Sequence, residues 1–327
     1  MPFPPRMTAQ DWGLLVFLSF LWGGSFFLAA VAVKEIPPYT VVFFRLTLAD
    51  IALFIAIIII GARLPRDLSV WRQFLILGIF GCAIPFALIF YGVTKISGGL
   101  ASILTSMTPL STIIIAHFFT ADEKLSWRRV WGVLTGLGGV IVIVGPSVLS
   151  DSGSDIAAQA AVLGASVCYG IAGVYGKRFR GMQPVVVAFG QVAMAAVLIL
   201  PMALVFEQPF SQDMPSAAAI ASVVALALFS SALAYIVFFR ILMRVGATNV
   251  VLVTLLVPVT AIFLGVTIIG ETLLLRYFVG LAVIICGLLI VDGRIIDYFR
   301  RRNTPDASGS LASPVVNEPQ NSTHPPR

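Results

Sequence analysis

Ten stretches of roughly 20 apolar residues run through this 327-residue chain, each long enough to carry a helix across the hydrocarbon core of a bilayer. They fall at about 12–33, 39–60, 73–93, 98–119, 127–148, 156–176, 184–206, 216–239, 247–269 and 273–293. Few strong charges fall inside them: Arg45 and Asp50 lie deepest, with Arg276 and Asp292 nearer the ends. Lipid offers no water to backbone amides, so such stretches are expected to be helices. Barrel strands would be about 10 residues long with alternating polarity, a pattern not seen here. Hydrophobic residues make up 59% of the chain and charged ones 11%, against roughly 25% charged in a soluble domain. That composition excludes a water-soluble enzyme. The net charge of +6 is scattered between apolar runs and forms no basic face for nucleic acid. The expected fold class is an all-α integral membrane protein, with the lipid bilayer as its first partner.

Lysine and arginine set the expected orientation. With the N-terminal residues 1–11 in the cytoplasm, 17 of the 21 basic residues fall in cytoplasmic segments and three, Lys34, Lys95 and Arg276, fall outside. Both termini are then cytoplasmic. Arg6 and Ala30-Val31-Ala32 imitate a signal peptide, yet the first stretch is long enough to span and has a counterpart later in the chain, so it is expected to be kept. The Pro-, Ser- and Asn-rich tail, 303–327, is expected to be disordered. Cys82, Cys168 and Cys286 sit in apolar runs without metal spacing and are expected to be small buried hydrophobes. No metal or cofactor is expected.

The chain is written twice. Leu21-Trp22-Gly23 is echoed by Cys168-Tyr169-Gly170, Pro38 to Arg45 by Pro184 to Gln191, and Thr105-x3-Pro109 by Thr254-x3-Pro258. Glu123-x8-Gly132 returns as Glu271-x8-Gly280, and Gly139-Val140-Ile141-Val142-Ile143 as Gly287-Leu288-Leu289-Ile290-Val291. Each half, 12–148 and 156–293, holds five of the stretches. Five is odd, so the second half enters the membrane inverted. Inverted repeats around a midplane site are the architecture of secondary transporters.

Ten helices in two repeats, Trp22-Gly23-Gly24-Ser25, Phe43-Phe44-Arg45, the Pro109 and Pro258 helices, and Glu123 and Glu271 ahead of Gly-rich last helices together resemble the EamA-type branch of the drug/metabolite transporter superfamily, over about residues 12–293. The resemblance implies a ten-helix basket around a central cavity. It also implies a small-molecule substrate and a place in the inner membrane, since members are mostly bacterial inner-membrane exporters of amino acids and other small metabolites. It does not name the substrate.

Arg45 is the sharpest residue. A guanidinium near the membrane centre costs at least about 2.5 kcal/mol unless it meets water or a partner. It can bind a substrate carboxylate or phosphate, or it can be a structural tie to backbone carbonyls, or it can snorkel to a near surface, since it lies close to the start of its helix. Its repeat counterpart, Gln191, is neutral but still forms hydrogen bonds. Asp50 points about 140° away from Arg45 on the same helix, so the two should not pair. It is a candidate for proton coupling, or a neutral-acid hydrogen-bond donor between helices.

Trp22, Tyr169, Tyr91 and Tyr235 lie inside helices, where rings with a polar tip suit a wet cavity wall. Thr105 on the Pro109 helix and Asn249 on the Pro258 helix are candidate cavity-lining residues, and Pro109 and Pro258 are candidate hinges because each proline frees the carbonyl four residues back, at Thr105 or Thr254. Trp12, Trp71, Trp127 and Trp131 read as interfacial anchors. Glu123 and Glu271 read as structural charges at helix starts. Gly132, Gly136, Gly139, Gly280 and Gly287 can pack helices within the chain or across a homodimer.

The Gly-rich runs lack the Lys-Ser/Thr ending of a nucleotide-binding loop. The chain shows no His-Glu-x-x-His motif and no credible Ser-His pair, so an enzyme is not expected. The competing expectation is a non-transporting receptor or scaffold on the same fold.

Overall fold

In a computed structural model, the residues described are 8–119, 127–149, 153–245, 250, 253–270 and 274–292. They are all helical or connecting, with no strand among them. In chain order the α-helices are α1 (Ala9–Ala32), α2 (Pro38–Ile60), α3 (Leu68–Gly78), α4 (Ile84–Val93), α5 (Gly98–Thr105), α6 (Thr108–Phe119) and α7 (Trp127–Leu149). There follow α8 (Gly153–Gly176), α9 (Pro184–Met202), α10 (Ala217–Ala227), α11 (Ala234–Val245), α12 (Val253–Leu264) and α13 (Leu275–Asp292). Single π turns, Ile79–Ala83 and Leu228–Leu233, join α3 to α4 and α10 to α11 into continuous rods.

Seven rods are long and apolar enough to cross a membrane, and shorter apolar helices cover Val130–Val142, Leu256–Ile268 and Leu275–Gly287. Their outer faces expose large apolar side chains in rows, such as Ile58, Ile59 and Ile60, or Phe118 and Phe119. Water would not tolerate such rows, whereas lipid matches them. The chain is a multi-pass membrane protein.

Local chemistry fixes the helix ends. Thr8 and Asp11 form a capping box at the start of α1. Pro38 and Pro184 open α2 and α9 in the first turn, where no N–H is needed. Gly61 closes α2 in the left-handed conformation, at φ 70°. Two carboxylates tie distant segments. Glu207 accepts from the Tyr39 and Thr40 amides at 3.0 and 2.7 Å and so caps α2, whose own N-cap residue, Pro37, supplies no side chain. Glu35 accepts from the Ser216 amide and hydroxyl, both at 2.7 Å. Those bonds favour the charged form and hold the Glu35 carboxyl below the usual glutamate range.

The packing exchanges elements between the two halves of the sequence. Helix α1 lies on α12, α8 lies on α6 and α4, and the counterparts α2 and α9 lie on each other. Glycines set the closest approaches. A Cβ on Gly23 would meet Thr260 and the Val257 carbonyl, while one on Gly170 would meet the backbone of Ser111 and Thr112. Each half thus makes the same contact with the other half.

The seam between α7 and α13 brings backbone directly against backbone. A Cβ on Gly139 would stand 2.7 Å from the Gly280 carbonyl, and one on Gly287 would stand 2.6 Å from the Gly132 carbonyl. These glycines therefore join two helices of one chain. Cys286, on the same helix, is exposed on the outer surface, which corrects the expectation that all three cysteines are buried. Gly139→Leu should destabilise the protein by about 1–3 kcal/mol or more, because backbone cannot yield to the new side chain. Gly138→Leu should be tolerated, since a Cβ there meets nothing within 4 Å. Thermal unfolding of both variants in detergent checks the contrast.

Candidate functional site

The rods enclose a cavity of about 140 Å³. Its wall is mostly aromatic and aliphatic, with Trp22, Phe86, Phe90, Tyr169, Tyr235 and Phe238 among the rings. Arg45 supplies the only charge among the described lining residues.

Arg45 is 3% exposed, and its position is set by the π turn Leu228–Leu233. Nε donates to Ser231 Oγ at 2.7 Å, and one terminal nitrogen donates to the Ser230 carbonyl at 3.3 Å. A π turn shifts the backbone out of the i→i+4 ladder, which suits its carbonyls to outside donors. Ser230 Oγ in turn donates to the Leu21 carbonyl at 2.7 Å and ties the turn to α1. The guanidinium lies over Phe86, 4.0 Å from the ring centroid, with Phe90 at 5.7 Å. No carboxylate pairs with it among the described residues. Arginine carries five N–H donors, so the two bonds above leave others free to meet a ligand. Arg45 is thus a structural tie and a cavity residue at once.

Gln191 repeats this contact from the other half. Its Nε2 donates to Cys82 Sγ at 3.0 Å, inside the π turn Ile79–Ala83. The Cys82 thiol donates to Tyr235 Oη at 3.2 Å, and Tyr235 donates to the Gly81 carbonyl at 3.0 Å. Cys82 and Ser231 sit at matching places in the third rod of each half, as Arg45 and Gln191 do in the second. In both halves, a side chain from the second rod grips the π turn of the opposite half.

The other candidate residues divide. Trp22 and Tyr169 line the cavity together, and Trp22 packs edge-on against Tyr235 with centroids 6.2 Å apart. Thr105 and Thr108 line it too, with Thr254. Pro109 stands in the first turn of α6, just after a break at Ser106 and Met107, and Thr108 Oγ1 donates to the Thr105 carbonyl at 2.7 Å. That hydroxyl replaces the bond the proline cannot make. Pro258 is buried inside α12.

Tyr91 does not join the cavity: it is 42% exposed, on the outward side of α4. Asp50 also stands apart from the wall, and its Oδ1 is buried with no hydrogen-bond partner among the described residues. Asn249, Glu123 and Glu271 lie outside the described residues, as does the 303–327 tail.

Sequence reasoning missed Ser230, Ser231 and the role of Cys82. The repeat offset that pairs Thr105 with Thr254 also pairs Cys82 with Ser231, and is the signal that could have found these two.

A double-mutant cycle measures how unequal the two grips are. Arg45 with Ser231 should couple by about 1.5 kcal/mol or more, as hydrogen bonds from charged groups do. Gln191 with Cys82 should couple nearer to about 0.6 kcal/mol, the mean for neutral contacts between membrane helices. Equal coupling in unfolding measurements on the two alanine cycles would refute the leading role given to the arginine.

The comparisons with known proteins agree with this architecture. The model of the EamA-like transporter family matches residues 12–145 and again 157–291. The uncharacterized transporter YoaV of Bacillus subtilis (strain 168) is 25% identical over 84% of this chain and 94% of its own length. The uncharacterized inner membrane transporter YedA of Escherichia coli (strain K12) is 26% identical over 88% of this chain and 92% of its own. Protein PecM of Dickeya dadantii (strain 3937) is 25% identical over 86% and 91%. One crystal structure shares the fold, with a TM-score of 0.63 at 22% identity over 87% of this chain and 98% of that one. With two matches that together cover most of its length, the chain belongs to the EamA-like transporter family.

Proposed function

We propose that the chain is a secondary carrier that moves small metabolites, amino acids among the candidates, out of the cell by alternating access at the Arg45 cavity. The observation that carries this reading is a buried cation at the wall of an aromatic cavity, tethered to both halves of the chain. Family membership and the relatives named as transporters support it.

The two halves are read as inverted five-helix repeats, giving ten spans with both termini cytoplasmic in the inner membrane. The matched grips of Arg45 and Gln191 suit such a design. Two similar halves can exchange conformations and so open one central site to each side in turn. The break ahead of Pro109 and the proline inside α12, Pro258, are the hinges of that exchange. Asp50, carrying a buried oxygen without a partner among the described residues, is the proton-coupling acid of the reading.

Counterflow in proteoliposomes tests it. Vesicles preloaded with pooled amino acids, or with pooled organic acids, should take up labelled trace members of one pool. Arg45→Ala should reduce that uptake by at least tenfold while Tyr91→Ala leaves it unchanged. Folded protein that binds ligand without flux would instead favour a non-transporting receptor.

A further inference from the structure

We infer that the cargo of this cavity is a compact organic monoanion, an acid group on an apolar body about one ring in size, and that a free ammonium on the same molecule weakens its binding. This deepens the carrier reading and rests on it only in treating the ligand as cargo.

Size comes first. A cavity of about 150 Å³ lined by aliphatic and aromatic groups takes up benzene, and this one measures about 140 Å³ with a similar wall. One ring or a branched aliphatic group fills that volume. Charge comes second. Arg45 is the only charged group among the described lining residues, and its remaining N–H groups can hold an acid in a fork. Apolar walls strengthen that attraction, because the low dielectric screens it little.

The same walls count against an ammonium. No carboxylate lines the cavity among the described residues. Three wall hydroxyls are turned back onto their own helices: Ser25 donates to the Trp22 carbonyl at 2.6 Å, Thr105 to the Ser102 carbonyl at 2.8 Å, and Thr112 to the Thr108 carbonyl at 2.7 Å. Each still presents lone pairs to the cavity, but these are neutral oxygens, and among the described lining residues an ammonium meets no negative charge to offset its desolvation. The nearest aromatic face, Phe86, is taken by Arg45 itself. An α-ammonium held beside a bound carboxylate would also stand within a few ångströms of the guanidinium, where like charges repel.

Three probes of nearly one shape separate these effects: 3-phenylpropanoate, L-phenylalanine, which adds an ammonium, and 2-phenylethylamine, which keeps only the ammonium. The measurement is equilibrium binding of labelled 3-phenylpropanoate to the purified full-length protein, with the other two as competitors. The expected result is saturable binding, with phenylalanine about tenfold weaker or more and phenylethylamine not competing. Arg45→Lys should retain part of the binding and Arg45→Gln should lose it. Since Arg45 also ties the halves together, the competition series on the unaltered protein decides the question even if a variant fails to fold.

Phenylalanine binding as tightly as the acid would overturn the inference, as would effective competition by phenylethylamine or no saturable binding of the acid to folded protein. Failure of the carrier reading looks different: the acid binds with the expected order of competitors, yet shows no counterflow in vesicles.

Discussion

One buried guanidinium organises this molecule. Arg45 is taken from water with no carboxylate beside it among the described residues, so its stability inside the membrane depends on neutral partners. It finds them in a π turn of the other half, in two phenylalanine faces, and in the cavity. A regular helix at Leu228–Leu233 would spend its carbonyls on its own ladder. In the π turn the Ser230 carbonyl accepts from the guanidinium and Ser231 reaches Nε. The site therefore begins with a local irregularity in a rod that touches α1, α2 and α9.

Because the grip crosses between halves, the geometry of the cavity is set by how the halves interlock. Gly23 and Gly170 let α1 and α8 approach α12 and α6 closely, which brings Trp22 and Tyr169 to the same cavity wall. Gln191 and Cys82 return the contact from the other side without a charge. The outcome is a symmetric frame with an asymmetric charge. Carboxylates outside the spans, Glu35 and Glu207, add ties between connections far apart in sequence. The α7 and α13 helices form a separate glycine-lined pair whose closest contacts are with each other.

Much of this was legible in the sequence, for physical reasons. Span length, repeat offset and the rarity of charge in apolar runs are strong signals, so the helical membrane fold and Arg45 could be read directly. Trp22 and Tyr169 followed from the repeat. Tyr91 and Tyr235 show where the reading stops. Both are tyrosines within apolar helices, yet Tyr235 closes the cavity and Tyr91 faces outward. In a membrane the outer face is as apolar as the core, so periodicity does not tell one from the other. The π turns were also hidden, since Ile79–Ala83 and Leu228–Leu233 carry no proline and no composition that marks a register shift. Cys82 was read as a small apolar filler because a thiol's weak hydrogen bonds leave no trace in hydropathy.

A carrier of this design needs its interlocked halves to enclose a cavity that water reaches. Replacing Cys82, Cys168 and Cys286 and then introducing Trp22→Cys, Thr108→Cys, Tyr169→Cys or Tyr91→Cys singly allows membrane-impermeant thiol reagents to report on it from each side. Trp22→Cys, Thr108→Cys and Tyr169→Cys should label from at least one side, with Tyr91→Cys, on the outward face of α4, as the comparison outside the cavity. If the three wall positions resist reagent from both sides in folded protein, the cavity is not an aqueous site and the central claim is wrong.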